Sequence, residues 1–397
     1  MEHVSNRIAN LAASATVAMN QKSTDLKARG INIINLSVGE PDFNTPDQIK
    51  EAAKKAIDEN YSFYTPVAGY PELLKAISEK FKRENHLDYS PSDILVSNGA
   101  KHSIANAILA LVNPGDEVII PSPYWVSYAE LVKLAEGRNV IVEAGIDQDF
   151  KVTAEQIKAA ITRKTKVLLL CSPTNPTGSV YSAGELKEIA EVVAEKNDMY
   201  IISDEIYEHI NFIGKHESIA QFDFIKDRVV NVNGVSKAYA MTGWRIGYMA
   251  AASWIVKACN KLQGQMTTGA SSIAQRAAIA ALNSDPSVIQ NMKNIFQRRR
   301  DLVLKLMGDI EGVKFNVPQG AFYVFPDISS FFGKKYGNDI IKDSTDFAMY
   351  LLNEANIATV PGIAFGAPDC IRISYATSDE NLVKALEQFK MATGKLS

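Results

Sequence analysis

Five side chains with chemical rather than packing character follow short apolar runs in the middle of the chain. Asn175 lies in Ser172-Pro173-Thr174-Asn175-Pro176-Thr177-Gly178, where prolines fix the backbone on either side of the amide. Asp204 and Tyr207 belong to Asp204-Glu205-Ile206-Tyr207, Lys237 follows Ser236, and Arg245 comes eight residues after Lys237. Asn98-Gly99-Ala100-Lys101 opens a helical pattern, His102–Leu111, and small residues there let backbone N–H groups meet an anion such as phosphate. Pro121-Ser122-Pro123-Tyr124-Trp125 places aromatic rings on another loop. Each has an ordinary explanation: a helix cap for the aspartate, half-buried packing for the tyrosine, solvation for the lysine. Independent structural roles have no reason to converge on one edge of one sheet, so the set points to a site.

The chemistry that wants this set is specific. A lysine beside the apolar run Ala238-Tyr239-Ala240-Met241 loses part of its affinity for a proton and becomes able to form a Schiff base. A carboxylate holds a pyridine nitrogen protonated, phenol and amide donors serve a ring oxygen, and an arginine with helix N–H groups holds a phosphate. That is the inventory for pyridoxal 5′-phosphate. The competing chemistry, a cofactor-free Schiff-base aldolase, needs the lysine but leaves the aspartate and the phosphate set without a purpose.

The elements that must position these groups alternate. Candidate strands Ile94–Ser97, Glu117–Ile120, Val140–Glu143, Lys166–Leu170, Met199–Ser203, Val229–Asn233 and Ile246–Ala250 are separated by amphipathic stretches. In one of these, Glu185–Glu195, Leu186, Ile189, Ala190 and Val193 share a face. Strand–helix alternation predicts an α/β fold with a mainly parallel sheet, whose ligands bind outside the carboxyl ends of the strands. After Pro286 the pattern changes to a long charged helix through Arg298, Arg299 and Arg300. Strand-like Ala321–Phe325, a helix near Thr345–Glu354, strand-like Ile371–Tyr375 and a last helix from Asp379 follow. These predict a smaller α+β domain. The expected division is 1–44 as an N-terminal arm and part of the small domain, 45–290 as the large cofactor domain, and 291–397 as the small domain.

With 397 residues, 46% apolar and 22% charged, a large core needs no disulfide or metal staple. A net charge of −3 leaves no cationic excess for a nucleic-acid backbone. Cys171, Cys259 and Cys370 are widely spaced without a CxxC, and the five histidines show no ligand spacing. A reduced, cytoplasmic protein with no metal is therefore expected. No apolar run approaches the roughly 18 residues of a membrane span, and the first residues lack the order of a secretory leader.

The chain resembles the class I aminotransferases, the aspartate aminotransferase family of fold type I pyridoxal-phosphate enzymes. The matching blocks are Ser37-Val38-Gly39-Glu40-Pro41-Asp42-Phe43, Tyr64 ahead of Gly69-Tyr70-Pro71-Glu72-Leu73, and Ser97–Lys101. They continue with Ser172–Gly178, Ser203–Tyr207, Ser236-Lys237 with Gly243-Trp244-Arg245-Ile246-Gly247, Gly320-Ala321-Phe322-Tyr323 and Arg372-Ile373-Ser374-Tyr375. Their order and spacing carry the likeness. The resemblance implies a large domain with a mainly parallel mixed sheet flanked by helices and a smaller α+β domain. It implies that Lys237 bonds to the cofactor as a Schiff base and then moves a proton at the substrate Cα. Asp204 would pair with the pyridine nitrogen, and Tyr207 and Asn175 would bond the ring oxygen. Trp125 would stack on the ring, while Arg245, Ser236 and the Gly99 and Ala100 backbones would hold the phosphate. Tyr64 would reach the neighbouring subunit's phosphate, which implies a homodimer with shared sites. Arg372, helped by the Gly39 backbone, would grip the substrate α-carboxylate as a fork.

Two departures bear on phosphate and substrate. Three residues before the lysine, where some members carry a phosphate-binding serine, stands Gly234. The stretch 263–275, which in the animal and enteric aspartate enzymes supplies an arginine for the distal carboxylate, has no Arg or Lys. A dicarboxylate needs a counter-charge there. Lys101, with Ser14 and Thr16 of Ser14-Ala15-Thr16-Val17, resembles the alternative set of another bacterial branch. The substrates implied are amino acids and 2-oxo acids, with aspartate and 2-oxoglutarate first and prephenate or aromatic substrates as the alternative. Elimination or decarboxylation on the same cofactor, and a non-catalytic use of the fold, stay open on the sequence.

Overall fold

The structure, a computed structural model, describes residues 4–397, so His3 at the start of the expected arm lies outside the described residues. All seven predicted strands form, with no end moved by more than two residues: β1 (Ile94–Ser97), β2 (Glu117–Ser122), β3 (Arg138–Glu143), β4 (Thr165–Cys171), β5 (Tyr200–Asp204), β6 (Val229–Gly234) and β7 (Gly247–Ala250). They make one sheet in the order β1-β7-β6-β5-β4-β2-β3. Strands β3, β2, β4, β5 and β6 run parallel, and β7 runs antiparallel to both β6 and β1. The expected mixed, mainly parallel sheet is thus present.

Near-continuous apolar runs belong to strands covered on both faces, and side-chain alternation divides them between two cores. Leu168 and Leu170 of β4 pack with Leu186, Ile189 and Val193 of the helix Ala183–Ala194. Val167 and Leu169 point the other way, into a cluster with Ile104 and Ile108 of Ala100–Leu111 and Ile255 of Ser253–Met266. Ser182 and Glu185 close a capping box that fixes where the first of these helices begins.

The topology explains why the reactive residues meet. The carboxyl ends of β4, β5 and β6 are neighbours, so the chain leaves the sheet there towards Asn175, Tyr207 and Lys237 in turn. Two antiparallel steps restore the direction of β1, and the register pairs both Ser97 and Gly234 with Gly247. Gly99 and Arg245, two residues beyond β1 and two before β7, therefore reach the same edge.

A second set of elements follows the long helix Ser287–Met307, whose first four residues precede the expected boundary at 290/291. Strands β8 (Tyr323–Val324), β9 (Val360–Pro361) and β10 (Ile371–Ser374) form an antiparallel sheet in the order β9-β10-β8. Helices Ser344–Glu354 and Asp379–Thr393 accompany it. The N-terminal segment joins these elements: Ile34–Asn35 pairs with Ile357–Ala358, and Met19 and Ile33 pack on Ala348 and Leu352. Arg299 anchors the segment further by a bidentate pair to Asp42, at 2.7 and 2.9 Å.

Behind the end of β5 and the turn that carries Tyr207, Glu205 and Glu208 face a buried polar network. Glu205 accepts from Ser218 Oγ at 2.6 Å, Ser203 Oγ at 2.9 Å and His216 Nε2 at 2.9 Å. Glu208 pairs with Lys80, which is fully buried and also donates to Asn85 Oδ1 at 2.8 Å. Burial alone would push the Glu208 carboxyl up; Lys80, His209 and His216 outweigh it and hold it well below the usual range. A buried charge that loses its partner typically costs about 3–5 kcal/mol. Lys80→Met is expected to lose about that much stability in urea unfolding, and adding Glu208→Gln to it should recover most of the loss.

Candidate active site

The sheet edge and the N-terminal segment enclose a cleft of about 480 Å³. Lys237, Asp204, Tyr207, Asn175, Arg245, Arg372, Trp125, Lys101, Ala100, Ser236, Gly39, Ser14 and Thr16 all line it. Gly99 stands one residue before Ala100 at the cap of the helix Ala100–Leu111. Tyr64 does not line it and is 94% exposed.

Lys237 donates to the Gly39 carbonyl at 2.6 Å. Burial draws its amine down to about 8; Glu40 opposes the shift, while Arg372 and Arg245 add to it. At neutral pH about a tenth of the amine is therefore free of its proton, against far less for an ordinary lysine. Asp204 is 3% exposed, and burial pushes its carboxyl up to about 6, opposed mainly by hydrogen bonds from Tyr128 and the Ile206 N–H. The Tyr207 hydroxyl meets that of Tyr323 at 2.8 Å.

Arg372 stands on β10 and is 1% exposed. Its guanidinium donates to the Ser37 carbonyl at 2.6 Å and to Asn175 Oδ1 at 3.1 Å, with its plane against Tyr323 and Phe365. Neither acceptor is charged and its Nε has no partner, so a buried cation waits beside the cleft. A surface ion pair, the ordinary explanation for an arginine on a strand, does not describe it.

At the other wall Arg245 takes a left-handed φ of 60° and donates to the Thr242 carbonyl at 2.8 Å and the Asn98 carbonyl at 3.3 Å. A Cβ on Gly99 would overlap the Arg245 guanidinium, and the Gly99 φ of +83° also disfavours a side chain. Glycine thus lets the guanidinium lie against the start of the helix, an anion-binding arrangement. Gly234 has its own reason: a Cβ there would stand 2.9 Å from Gly247 Cα and from the Ile246 carbonyl. A serine cannot enter where β6 and β7 touch so closely, so the missing hydroxyl reflects backbone packing.

Lys101 lies 4.8 Å from the Trp125 ring centroid, its affinity for a proton lowered by burial and by Arg245. Ser14 caps the helix Ala15–Ala28 by accepting from the Val17 N–H at 3.5 Å, and still lines the cleft. Thr16 Oγ1 is buried without a partner. Tyr128 and Tyr323 were not among the expected site residues. Tyr323 sits in a block that carried the resemblance without a role, and Tyr128 stands three residues after Trp125, in the first turn of the helix that follows that loop.

Comparison with known proteins agrees with this geometry. Residues 31–389 match the family described as aminotransferase class I and II. A Petunia hybrida protein described as a bifunctional aspartate aminotransferase and glutamate/aspartate-prephenate aminotransferase is 48% identical, over 98% of this chain and 82% of its own. The solved aspartate aminotransferase of Rhizobium meliloti superposes with a TM-score of 0.96 at 43% identity, covering all of both chains. That of Thermus thermophilus, solved with maleate, gives 0.93 at 42% identity over 99% of this chain and 100% of its own. The chain belongs to the class I and II aminotransferase family, and its fold is that of the fold type I enzymes.

The Lys237 environment makes a prediction that needs no substrate. Trapping with a small aldehyde and borohydride, followed by peptide mapping, should label Lys237 with a half-maximal rate near pH 8. Exposed lysines should go on gaining reactivity to about pH 10.

Proposed function

We propose that the cleft binds pyridoxal 5′-phosphate and that the protein moves the amino group of L-aspartate to 2-oxoglutarate, giving oxaloacetate and L-glutamate. The residues present fit the cofactor. An amine of lowered basicity, a buried carboxylate, a phenol with an amide, and an arginine against a helix start correspond to its aldehyde, ring nitrogen, ring oxygen and phosphate. When bound, the group supplies an electron sink for the bond broken at the substrate Cα.

The chain's own residues do the rest. Lys237 Nζ, held towards the Gly39 carbonyl, takes and returns the Cα proton once its amine is free. Arg372 binds the α-carboxylate as a fork, already aimed by Ser37 and Asn175. Gly99, Ala100, Ser236 and Arg245 hold the phosphate, Tyr207 and Asn175 the ring oxygen, and Trp125 the ring face. The observation that carries the substrate choice is a second cation in the same cleft. Lys101, lining the cleft with Thr16 Oγ1 unpartnered beside the same space, suits a second carboxylate. Ser14 would add a hydroxyl. Maleate, present in the Thermus thermophilus structure, is likewise a four-carbon dicarboxylate.

Residues 45–290 then form the cofactor domain, and 1–44 serve as an N-terminal arm and part of the small domain with 291–397. Exposed Tyr64 and Phe63, at 94% and 81%, support a homodimer in which Tyr64 reaches the partner's phosphate site. Buried free thiols at Cys171, Cys259 and Cys370 fit a reducing cytoplasm, and no helix among the described residues is long and apolar enough to cross a membrane.

An amino-donor panel with 2-oxoglutarate tests the proposal, scored as kcat/KM. Aspartate should lead, and Lys237→Ala should abolish turnover. Lys101→Ala should lower kcat/KM for aspartate by about 100-fold or more, the cost of a carboxylate buried without a counter-charge, and leave phenylalanine within a few-fold. A prephenate preference would show as glutamate with prephenate outranking aspartate. An equal loss for all donors in Lys101→Ala would remove this lysine from substrate selection.

A further inference from the structure

The two oxygens of Asp204 are held unequally. Oδ1 accepts the Ile206 N–H at 3.3 Å, a long contact, whereas Oδ2 accepts the Tyr128 hydroxyl at 2.6 Å. Tyr128 stands in the first turn of the helix Ser127–Leu134, and its ring meets Trp125 edge-on at 5.4 Å and 87°. The ring itself is 2% exposed, in the cluster that includes Val167, Leu169 and Ile202. Packing there is satisfied by a phenyl ring. A hydroxyl in such a place is costly unless it is hydrogen-bonded, and Asp204 is the partner it has. Burial and the Asp204 charge push the phenol well above its usual range, so it acts only as a donor.

We propose that Tyr128 is a positioning residue for the cofactor's ring nitrogen, its hydroxyl fixing the Asp204 carboxylate in the orientation and charge state that this nitrogen needs. The inference rests on the cofactor proposal above. The ionisable groups facing Asp204 are few. Glu205 disfavours its charge and Lys237 favours it. The Cys171 thiol is pushed up by burial first and by Asp204 second, and stays neutral. Burial holds Asp204 up to about 6, and the Tyr128 hydrogen bond is the leading influence against it. Without the hydroxyl the carboxyl shifts further up, into the neutral range, where a protonated Asp204 no longer holds a pyridinium.

The test is the dissociation constant of pyridoxal 5′-phosphate from the full-length protein, read by absorbance between pH 6 and pH 9. Wild type is compared with Tyr128→Phe, which keeps the ring. Both proteins meet the same cofactor ionisations, so the ratio of the two constants isolates the protein. A rise of Asp204 by one unit or more makes the variant about five- to tenfold weaker at pH 6 and within about twofold of wild type at pH 9. In an Asp204→Asn background the same substitution should give a ratio independent of pH. A ratio that is flat in the Asp204 background would overturn the assignment and leave Tyr128 a packing residue. Absence of any cofactor complex in wild type is a different failure, that of the cofactor proposal itself.

Discussion

A site of this kind must keep an amine partly neutral and a carboxylate charged within one closed cleft, and burial works on the two in opposite senses. It lowers the proton affinity of Lys237, which the chemistry wants, and raises that of Asp204, which the chemistry does not. The structure resolves the conflict by distributing donors unevenly. Lys237 meets a neutral carbonyl, Gly39, and has Arg245 and Arg372 nearby to discourage its proton. Asp204 receives a hydroxyl and a backbone N–H. Glu205 and Glu208 next to it are sent to the opposite side of the loop, where Lys80 and the histidines absorb their charge.

That distribution is possible because of how strand ends are arranged. Parallel β4, β5 and β6 release their loops at one edge, and antiparallel β7 brings Arg245 back to it. The close contacts that result exclude side chains at defined places. Gly247 lies so near Gly99 and Ala100 that a Cβ would overlap their backbone, and Gly234 lies against Gly247. The wall proposed for the phosphate is therefore made of backbone and one guanidinium, packed tightly where β6 meets β7. The remaining wall comes from far away in sequence: Gly39 from the N-terminal segment and Arg372 from β10, tied together by the Arg372–Ser37 hydrogen bond at 2.6 Å.

Much of this was legible in the residues. The seven strands were, because fully buried strands are apolar runs between amphipathic helices, and the edge residues followed from where those runs stop. Their exact ends were not: Asp204 is the last residue of β5 and not the first of a loop, since a polar residue at a strand end carries no periodic signal. Strand-like Ala321–Phe325 shrinks to Tyr323–Val324, because Ala321 takes a left-handed φ of 56° that interrupts the extended run, which an apolar alanine does not announce in sequence. Tyr128 and Tyr323 were hidden for a physical reason. A buried tyrosine looks the same in sequence whether its hydroxyl meets a carboxylate, another phenol or a backbone carbonyl, as Tyr350 does with Ala392 at 2.7 Å. Lys80 was hidden likewise, a lysine in a helix facing a carboxylate 128 positions away.

The net charge of −3 also takes on a different meaning once the cleft is seen. Long-range attraction of a dianion by the whole molecule is weak at that charge and is screened within about 8 Å of the surface at physiological salt. On the function proposed above, selection then comes from short-range cations that the protein does not itself satisfy. Arg372 is such a group, buried against neutral acceptors with Nε unpaired, and Lys101 is another, its charge disfavoured by burial and by Arg245. Both are held in a state that a carboxylate relieves. A ligand that brings one carboxylate leaves one of these costs standing, and a ligand that brings two removes both, so discrimination arises from the strain of the empty charges more than from any contact unique to the bound state.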